Sequence, residues 1–260
     1  MKKGKKLYEG KAKIIFATSD KNVVIQHFKD DATAFNNQKK ASIEGKGILN
    51  NRISEHILKS LTEIGIKNHL IKRLNMREQL VELVNIIPIE FVIRNIATGS
   101  LTKRLGIEEG TVLDYPLIEY CLKNDELGDP IVSREHILNF KWLNIVELNQ
   151  INEQCLRIND FLQGIFRGIG IKLVDFKIEF GKAKSDEKII LADEISPDTC
   201  RLWDQETDKK LDKDRFRKDL GDVVEAYQEV ARRLGILHEQ SNIRPIKFSK
   251  PTAVKIKKNK

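Results

Sequence analysis

IKLVDFKIEFG, Ile171 to Gly181, is the stretch whose reading decides the fold. Apolar and polar residues alternate with the two-residue period of a strand. Val174, Phe176, Ile178 and Phe180 fall on one face, and Asp175, Lys177 and Glu179 on the other. The first face requires a covering layer. The second carries two carboxylates flanking an ammonium group, which describes either an exposed strand face of mixed charge or one wall of a polar site. A returning strand, Lys188 to Glu194, follows a turn centred on Ser185, Asp186 and Glu187, and the hairpin brings Asp193 roughly opposite Glu179. Two converging carboxylates repel unless a hard cation sits between them, and Mg²⁺ takes oxygen ligands of this type. A register slip of one residue would send them to opposite sides.

The segments on either side extend this pattern. Downstream, Ser196-Pro197-Asp198-Thr199-Cys200-Arg201 is a loop signal that projects Asp198 and Arg201 near one rim, as a site or as a plain turn with a surface ion pair. Upstream, Ile87 to Arg94 alternates in the same way. Ile87, Ile89, Phe91 and Ile93 share one face, and Glu90, Val92 and Arg94 the other. Asn95 to Arg104 then runs from strand into short helix, with Ser100 as N-cap. A helix start with a hydroxyl beside Arg94 suits a phosphate or carboxylate, although capping alone also accounts for Ser100.

Helical spacing marks three amphipathic segments. They are Gly47 to Ile64 (Leu49, Ile53, Ile57, Leu61, Ile64), Val146 to Arg167 (Ile151, Cys155, Ile158, Leu162, Ile165), and Asp214 to Leu234 with Asp212 or Asp214 as N-cap. The chain opens with strands at Lys5 to Glu9, Ala12 to Thr18 and Asn22 to Phe28. A tight turn at Gly10 and Lys11 separates the first two, and Ile66 to Arg73 and Gln79 to Val84 complete a first lobe. Gly10 with Lys11 and Lys13 can lay backbone N–H groups and charge over phosphates, but a lysine-rich hairpin turn is also ordinary. Neither G-x-x-x-x-G-K-[ST] nor G-x-G-x-x-G occurs. The polar run Lys123 to Pro130 has no role assignable from its residue types.

Composition bounds the function class. In 260 residues the net charge is +8, yet Arg244 to Lys260 holds seven basic residues and no acidic one, so the body is almost neutral. A solvated basic extension at 241–260 explains the charge better than a nucleic-acid-binding face. The apolar run Ile86 to Ile93 is too short to span a bilayer and contains Pro88 and Glu90. Cys121, Cys155 and Cys200 lie far apart without C-x-x-C spacing, which suits reduced thiols in a cytoplasm, and the five histidines show no ligand spacing.

Six segments taken in order resemble the SAICAR synthetase family of purine biosynthesis: LYEGKAK (7–13), FKDDATAFN (28–36), RNIATGSLTKRLG (94–106), KNDELGDP (123–130), LVDFKIEFG (173–181) and ADEISPDTCRLWD (192–204). The resemblance implies an α+β, two-lobed fold with a nucleotide cleft between a small antiparallel-sheet lobe (1–84) and a larger α/β lobe (85–240), related in plan to protein kinases. It implies a ligase that uses ATP and Mg²⁺ to join L-aspartate to the carboxylate of CAIR, giving SAICAR, ADP and phosphate by way of an acyl phosphate. By the same resemblance Gly10, Lys11 and Lys13 hold the ATP phosphates, and the backbone near Val81 and Leu83 meets adenine. Glu179 and Asp193 ligate Mg²⁺. Arg94, Ser100, Asp129, Asp198 and Arg201 bind substrate, with Asp175, Lys177 and Arg201 closest to the chemistry. The expected partners are small molecules and further copies of the chain, as a homodimer or higher homo-oligomer, with no nucleic acid and no membrane. The extension after about Ser241 lies outside the family pattern.

Overall fold

A computed structural model describes residues 2–34 and 39–237; the basic extension 241–260 lies outside the described residues. In chain order the elements are β1 (Lys6–Glu9), β2 (Lys13–Ala17), β3 (Val23–Phe28), β4 (Asp31–Ala34), β5 (Lys39–Ser42), α1 (Lys46–Glu63), β6 (Leu70–Arg73), β7 (Glu78–Glu82), β8 (Val84–Ile96), α2 (Ser100–Leu105), β9 (Val112–Leu122), β10 (Ile131–Val132), α3 (Arg134–Asn139), α4 (Ile145–Gly168), β11 (Ile171–Ala183), β12 (Ile189–Ala192), β13 (Cys200–Asp204), α5 (Asp214–Arg217) and α6 (Val223–Arg233). The fold class is α+β. An antiparallel sheet in the order β1-β2-β3-β7-β6 precedes a second one in the order β10-β9-β8-β11-β12. β11 is the spine of the second sheet. β8 runs along one of its edges, and the other edge takes β13 at the start and β12 at the end.

The alternation predicted for β11 and β8 is present. Val174, Phe176, Ile178 and Phe180 are buried with Ile87, Ile89, Phe91 and Ile93, and Phe91 meets Phe180 edge to face at 5.5 Å between ring centroids. α4 covers that face with Leu148, Ile151, Cys155, Ile158, Leu162 and Phe166. α1 does more than cover the first sheet. It packs on β3, β6 and α6, and its Ile53, Ile57, Leu58 and Leu61 join one continuous apolar cluster with the second sheet.

Three expectations need correction. The helix predicted over Asp214 to Leu234 is two helices, because Asp219 (φ 54°), Gly221 (φ 69°) and Asp222 (φ 47°) turn left-handed between them. Arg215 fixes the break by donating to the carbonyls of Gly221 at 2.7 Å and Leu220 at 2.9 Å. Neither Asp212 nor Asp214 is a cap residue. The cap positions are Lys213 and Asp222, without side-chain cap bonds, and the Asp212 carboxylate instead accepts the amides of Leu202 at 2.8 Å and Asp214 at 2.7 Å. Arg201 lies on β13 rather than on the loop before it.

Pro88 sits inside a thirteen-residue strand because β8 bulges there, where the register against β11 shifts between Glu179 and Gly181. Beside the bulge the backbones run so close that a Cβ on Gly181 would stand 2.8 Å from Val84 Cβ and 3.0 Å from the Asn85 carbonyl oxygen. Gly181→Ala should therefore cost about 1–3 kcal/mol by overpacking a site with no flexible neighbour. Urea unfolding checks this, and an unchanged midpoint would show that the strand crossing can yield.

Candidate active site

Pairing places the charged face of β11 at the level of two other strands. Asp175 is opposite Arg94 on β8 and Arg201 on β13, and Glu179 is opposite Glu90 on β8. Like charges facing each other across a ladder are unfavourable. Lys177 resolves the Glu179–Glu90 conflict by donating to both carboxylates at 2.7 Å.

The hairpin register differs from the predicted one. Glu179 pairs with Ala192, so strict alternation would put Asp193 on the opposite face from Glu179. Asp193 lies one residue past β12 with φ 62°, and this left-handed turn swings its side chain back. Its Oδ2 lies 4.0 Å from Lys177 Nζ, while Glu179 Oε1 lies 2.7 Å from the same ammonium group. The two carboxylates converge through backbone conformation rather than through pairing.

Four carboxylates (Glu90, Glu179, Asp193, Glu194) and three ammonium groups (Lys13, Lys123, Lys177) form this cluster. Lys13 comes from β2 in the other sheet and reaches Asp193 and, at 2.9 Å, Glu194. Burial pushes the Asp193 carboxyl up, but Lys13, Lys177 and Lys123 outweigh it and hold the group below the usual carboxylate range. Burial acts on Glu179 in the same sense, and Lys177 and Lys123 again prevail over Asp193. Magnesium commonly takes one or two protein carboxylates and fills its shell with water and phosphate oxygens, so two ionised carboxylates on one spot fit such an ion. Among the described residues no group of three or more His, Cys, Asp or Glu side chains forms a fuller metal cage.

At the mouth of the β1–β2 turn the Gly10 amide donates to the Lys13 carbonyl at 2.8 Å, and Lys11 reaches Asp125 at 2.6 Å. Val81 is buried in β7 between β3 and β6. The Leu83 amide donates to the Asn22 carbonyl at 2.7 Å, and its carbonyl accepts from Lys184 at 2.9 Å. Asp129 pins the loop after β9, its Oδ1 accepting from the Asn124 amide at 3.0 Å.

Toward the start of β11 lies a guanidinium rim. Oδ2 of Asp175 accepts from Arg94 Nη1 at 2.7 Å and from Arg201 Nη1 at 2.8 Å. Glu119 holds Arg94 Nε at 2.7 Å, and Asp214 holds Arg201 Nε at 3.0 Å. Ser100 is not an N-cap, because Gly99 occupies that position. Its Oγ instead accepts from Arg94 Nη2 at 3.1 Å. Gly99 (φ 64°) leaves the space Arg201 needs, since a Cβ there would stand 2.7 Å from Arg201 Nη2. Asp198 belongs to a separate buried group, with one oxygen on Lys46 Nζ and the other on Tyr227 Oη, each at 2.6 Å.

Sequence reasoning missed Lys46, Glu90, Glu119, Lys123, Asp214 and Tyr227. Glu90 stands on the same strand face as Arg94, so the alternation already carried its signal. The others reach the site from distant elements, and no local spacing marks them.

The chain is similar to known proteins over most of its length. Residues 6–234 match the family described as SAICAR synthetase. A phosphoribosylaminoimidazole-succinocarboxamide synthase of Pelagibacter ubique is 71% identical over 99% of this chain and 100% of its own. The crystal structure of the synthase of that name from Ehrlichia chaffeensis superposes with a TM-score of 0.88 at 58% identity, covering 90% of this chain and 100% of that one. A SAICAR synthetase solved in complex with ADP gives 0.84 at 47% identity, covering 87% and 96%.

The rim has an electrostatic consequence measurable without any ligand. Burial, with repulsion from Asp214 behind it, pushes the Asp212 carboxyl from its ordinary 3.8 up to about 7. Between those values the native state keeps a proton that the unfolded chain has released. The stability this proton confers is complete below pH ~4 and is lost as pH rises through ~7, on the order of 4 kcal/mol in all. Asp212→Asn should flatten the fall in unfolding free energy across that window, whatever constant cost its misplaced amide adds. An unchanged slope would refute the assignment.

Proposed function

This chain belongs to the SAICAR synthetase family and is an ATP-dependent ligase joining L-aspartate to CAIR in purine biosynthesis, and from that premise we propose how its residues divide the work. The observation that carries the proposal is the convergence of Glu179 and Asp193 on Lys177, with Lys13 arriving from the facing sheet.

CAIR carries a phosphate at one end and a carboxylate at the other. The polar face of β11 carries guanidinium groups around Asp175 and a carboxylate–ammonium cluster around Glu179. Four residues of strand, about 13 Å, separate them. Arg94, Ser100 and Arg201 hold the phosphate, while Asp129 and Asp198 fix the walls of the substrate site. Gly10, Lys11 and Lys13 hold the triphosphate, and the chain near Val81 and Leu83 borders the adenine. Glu179 and Asp193 hold Mg²⁺, which when bound supplies positive charge to the phosphate oxygens.

A carboxylate is a poor electrophile, so the γ-phosphoryl group passes first to the CAIR carboxylate and ADP leaves. The aspartate amine then attacks the acyl phosphate and inorganic phosphate leaves. Lys177 lies where charge builds during the first transfer. Burial lowers its proton affinity, but Glu179, Glu90 and Asp193 raise it further, so it stays charged and acts by attraction rather than by proton transfer. No covalent nucleophile is required, because transfer between anions needs neutralised charge and fixed geometry.

The two sheets are proposed as the two lobes, divided at 84 and 85, with the nucleotide between them. We also propose a cytoplasmic homo-oligomer that binds neither nucleic acid nor membrane. Its three free cysteines support a reducing compartment, and no helix among the described residues is long and apolar enough to cross a membrane.

ADP release with each substrate omitted in turn tests the reaction. ADP release over many turnovers should require both CAIR and L-aspartate, and sustained release without aspartate would point to a kinase. Asp193→Asn should cut turnover at least about a hundredfold with the fold intact, and wild-type rates at limiting Mg²⁺ would remove its role. Gly99→Ala should raise KM for CAIR about tenfold by displacing Arg201. KM for ATP should stay near the wild-type value, and an unchanged KM for CAIR would detach Arg201 from the substrate.

A further inference from the structure

Lys123 has a place in the Glu179 cluster that neither strand alternation nor hairpin geometry assigns. Its Nζ donates to both Oε1 and Oε2 of Glu179 at 2.6 Å, so one cation is seated symmetrically across the carboxylate. Lys177 approaches only Oε1 and is shared with Glu90. The Lys123 side chain is 41% exposed and that of Glu179 only 3%, which puts the ammonium on the solvent side of a buried carboxylate. Two residues on, Asp125 takes Lys11 Nζ at 2.6 Å. One short segment thus sets a positive charge on a carboxylate assigned to the metal and a negative charge on a lysine assigned to the triphosphate.

We propose that Lys123 is the resident counter-ion of the divalent-cation site: its ammonium group occupies the cation's seat on Glu179 and must leave before the metal ion enters. The inference rests on the reading of Glu179 and Asp193 as metal ligands. Its physical basis is that an ionised carboxylate as buried as Glu179 cannot stand unpaired, so filling the site is an exchange of cations rather than an addition.

The surroundings suit an exchange made by side-chain rotation. The Lys123 amide is tied to the Pro88 carbonyl at 3.0 Å. The Asn124 side chain accepts the amides of Glu126 and Leu127 at 3.1 Å, and Asp129 accepts that of Asn124 at 3.0 Å. The backbone is held while the four-carbon stem stays free to swing. Asp125 can then yield Lys11 to phosphate oxygens, because a pair as exposed as theirs contributes little by itself. Metal and nucleotide together replace both charges of the segment, whereas a metal ion alone competes with Lys123 unaided.

Mn²⁺ binding to the full chain without nucleotide, followed by electron paramagnetic resonance, tests the exchange, with thermal unfolding of the same samples alongside. Lys123→Met should bind Mn²⁺ about tenfold more tightly than wild type, because a charged hydrogen-bonding competitor is gone. It should also unfold at a lower temperature without metal and recover more on adding it. Lys123→Gln, which keeps a polar end, should tighten binding in the same direction. Mn²⁺ affinity unchanged or weaker in both variants would overturn the proposal, since a lysine that merely supports the fold, or helps hold the metal, predicts that result. Asp193→Asn separates this from the underlying reading. Mn²⁺ binding retained there would overturn the metal assignment itself, and the exchange with it.

Discussion

An ionised carboxylate buried in a protein is tolerated only when opposite charge reaches it, and β11 buries two on one face. That constraint ties the register of the sheet to the electrostatics of the site. Asp175 is satisfied because β8 and β13 bring Arg94 and Arg201 to its level from either side. Glu179 is satisfied because Lys177 and Lys123 reach it. A slip of one residue in either neighbouring strand would expose the apolar face and strand the carboxylates together, so packing and charge select the same register.

The legible parts of the sequence are those where one period separates two environments. β11 and the central part of β8 could be read because Val, Ile and Phe alternate with charge, and α1 and α4 because their apolar stripes are long. β9 escaped, since Pro116 interrupts its alternation and only Glu119 of its residues is buried. The break before α6 was hidden for the opposite reason: Phe216, Leu220 and Val223 keep helical spacing straight through it. The convergence of Asp193 with Glu179 was anticipated from the wrong cause. The pairing is one residue off, and a left-handed backbone angle, which no residue pattern encodes, restores the contact. Lys46 and Tyr227 were invisible for a further reason. A lysine at a helix start and a tyrosine in an amphipathic stripe look solvated and apolar until a third element, the Asp198 loop, arrives between them.

The segment from Asp193 to Asp198 joins the two sheets. Lys13 of β2 holds its beginning, Lys46 at the start of α1 holds its end, and Tyr227 of α6 closes the far side. These contacts sit above an apolar cluster that α1 shares with the second sheet. Separating the sheets would therefore expose carboxylates as well as hydrocarbon. On the proposed reading, a bound cation would replace Lys13 at Asp193, and phosphate oxygens would take the released ammonium group. On that same reading, the ion pairs that hold the sheets together are also those a ligand would exchange.

The guanidinium rim shows the complementary strategy. Arg94 spends Nε on Glu119, Nη1 on Asp175 and Nη2 on Ser100, and Arg201 spends Nε on Asp214 and Nη1 on Asp175. Each bond to a carboxylate reduces the positive potential available to an anion, so the arrangement sacrifices raw attraction. What it gains is orientation: long, flexible side chains are immobilised before a ligand arrives, and the ordering cost is met during folding rather than binding. The absence of a side chain at Gly99 belongs to the same arrangement, since Arg201 can lie in that orientation only where the neighbouring backbone leaves room. On the proposed reading, a site that has to place a phosphate at a fixed distance from a reacting carboxylate would benefit more from this rigidity than from a stronger but looser field.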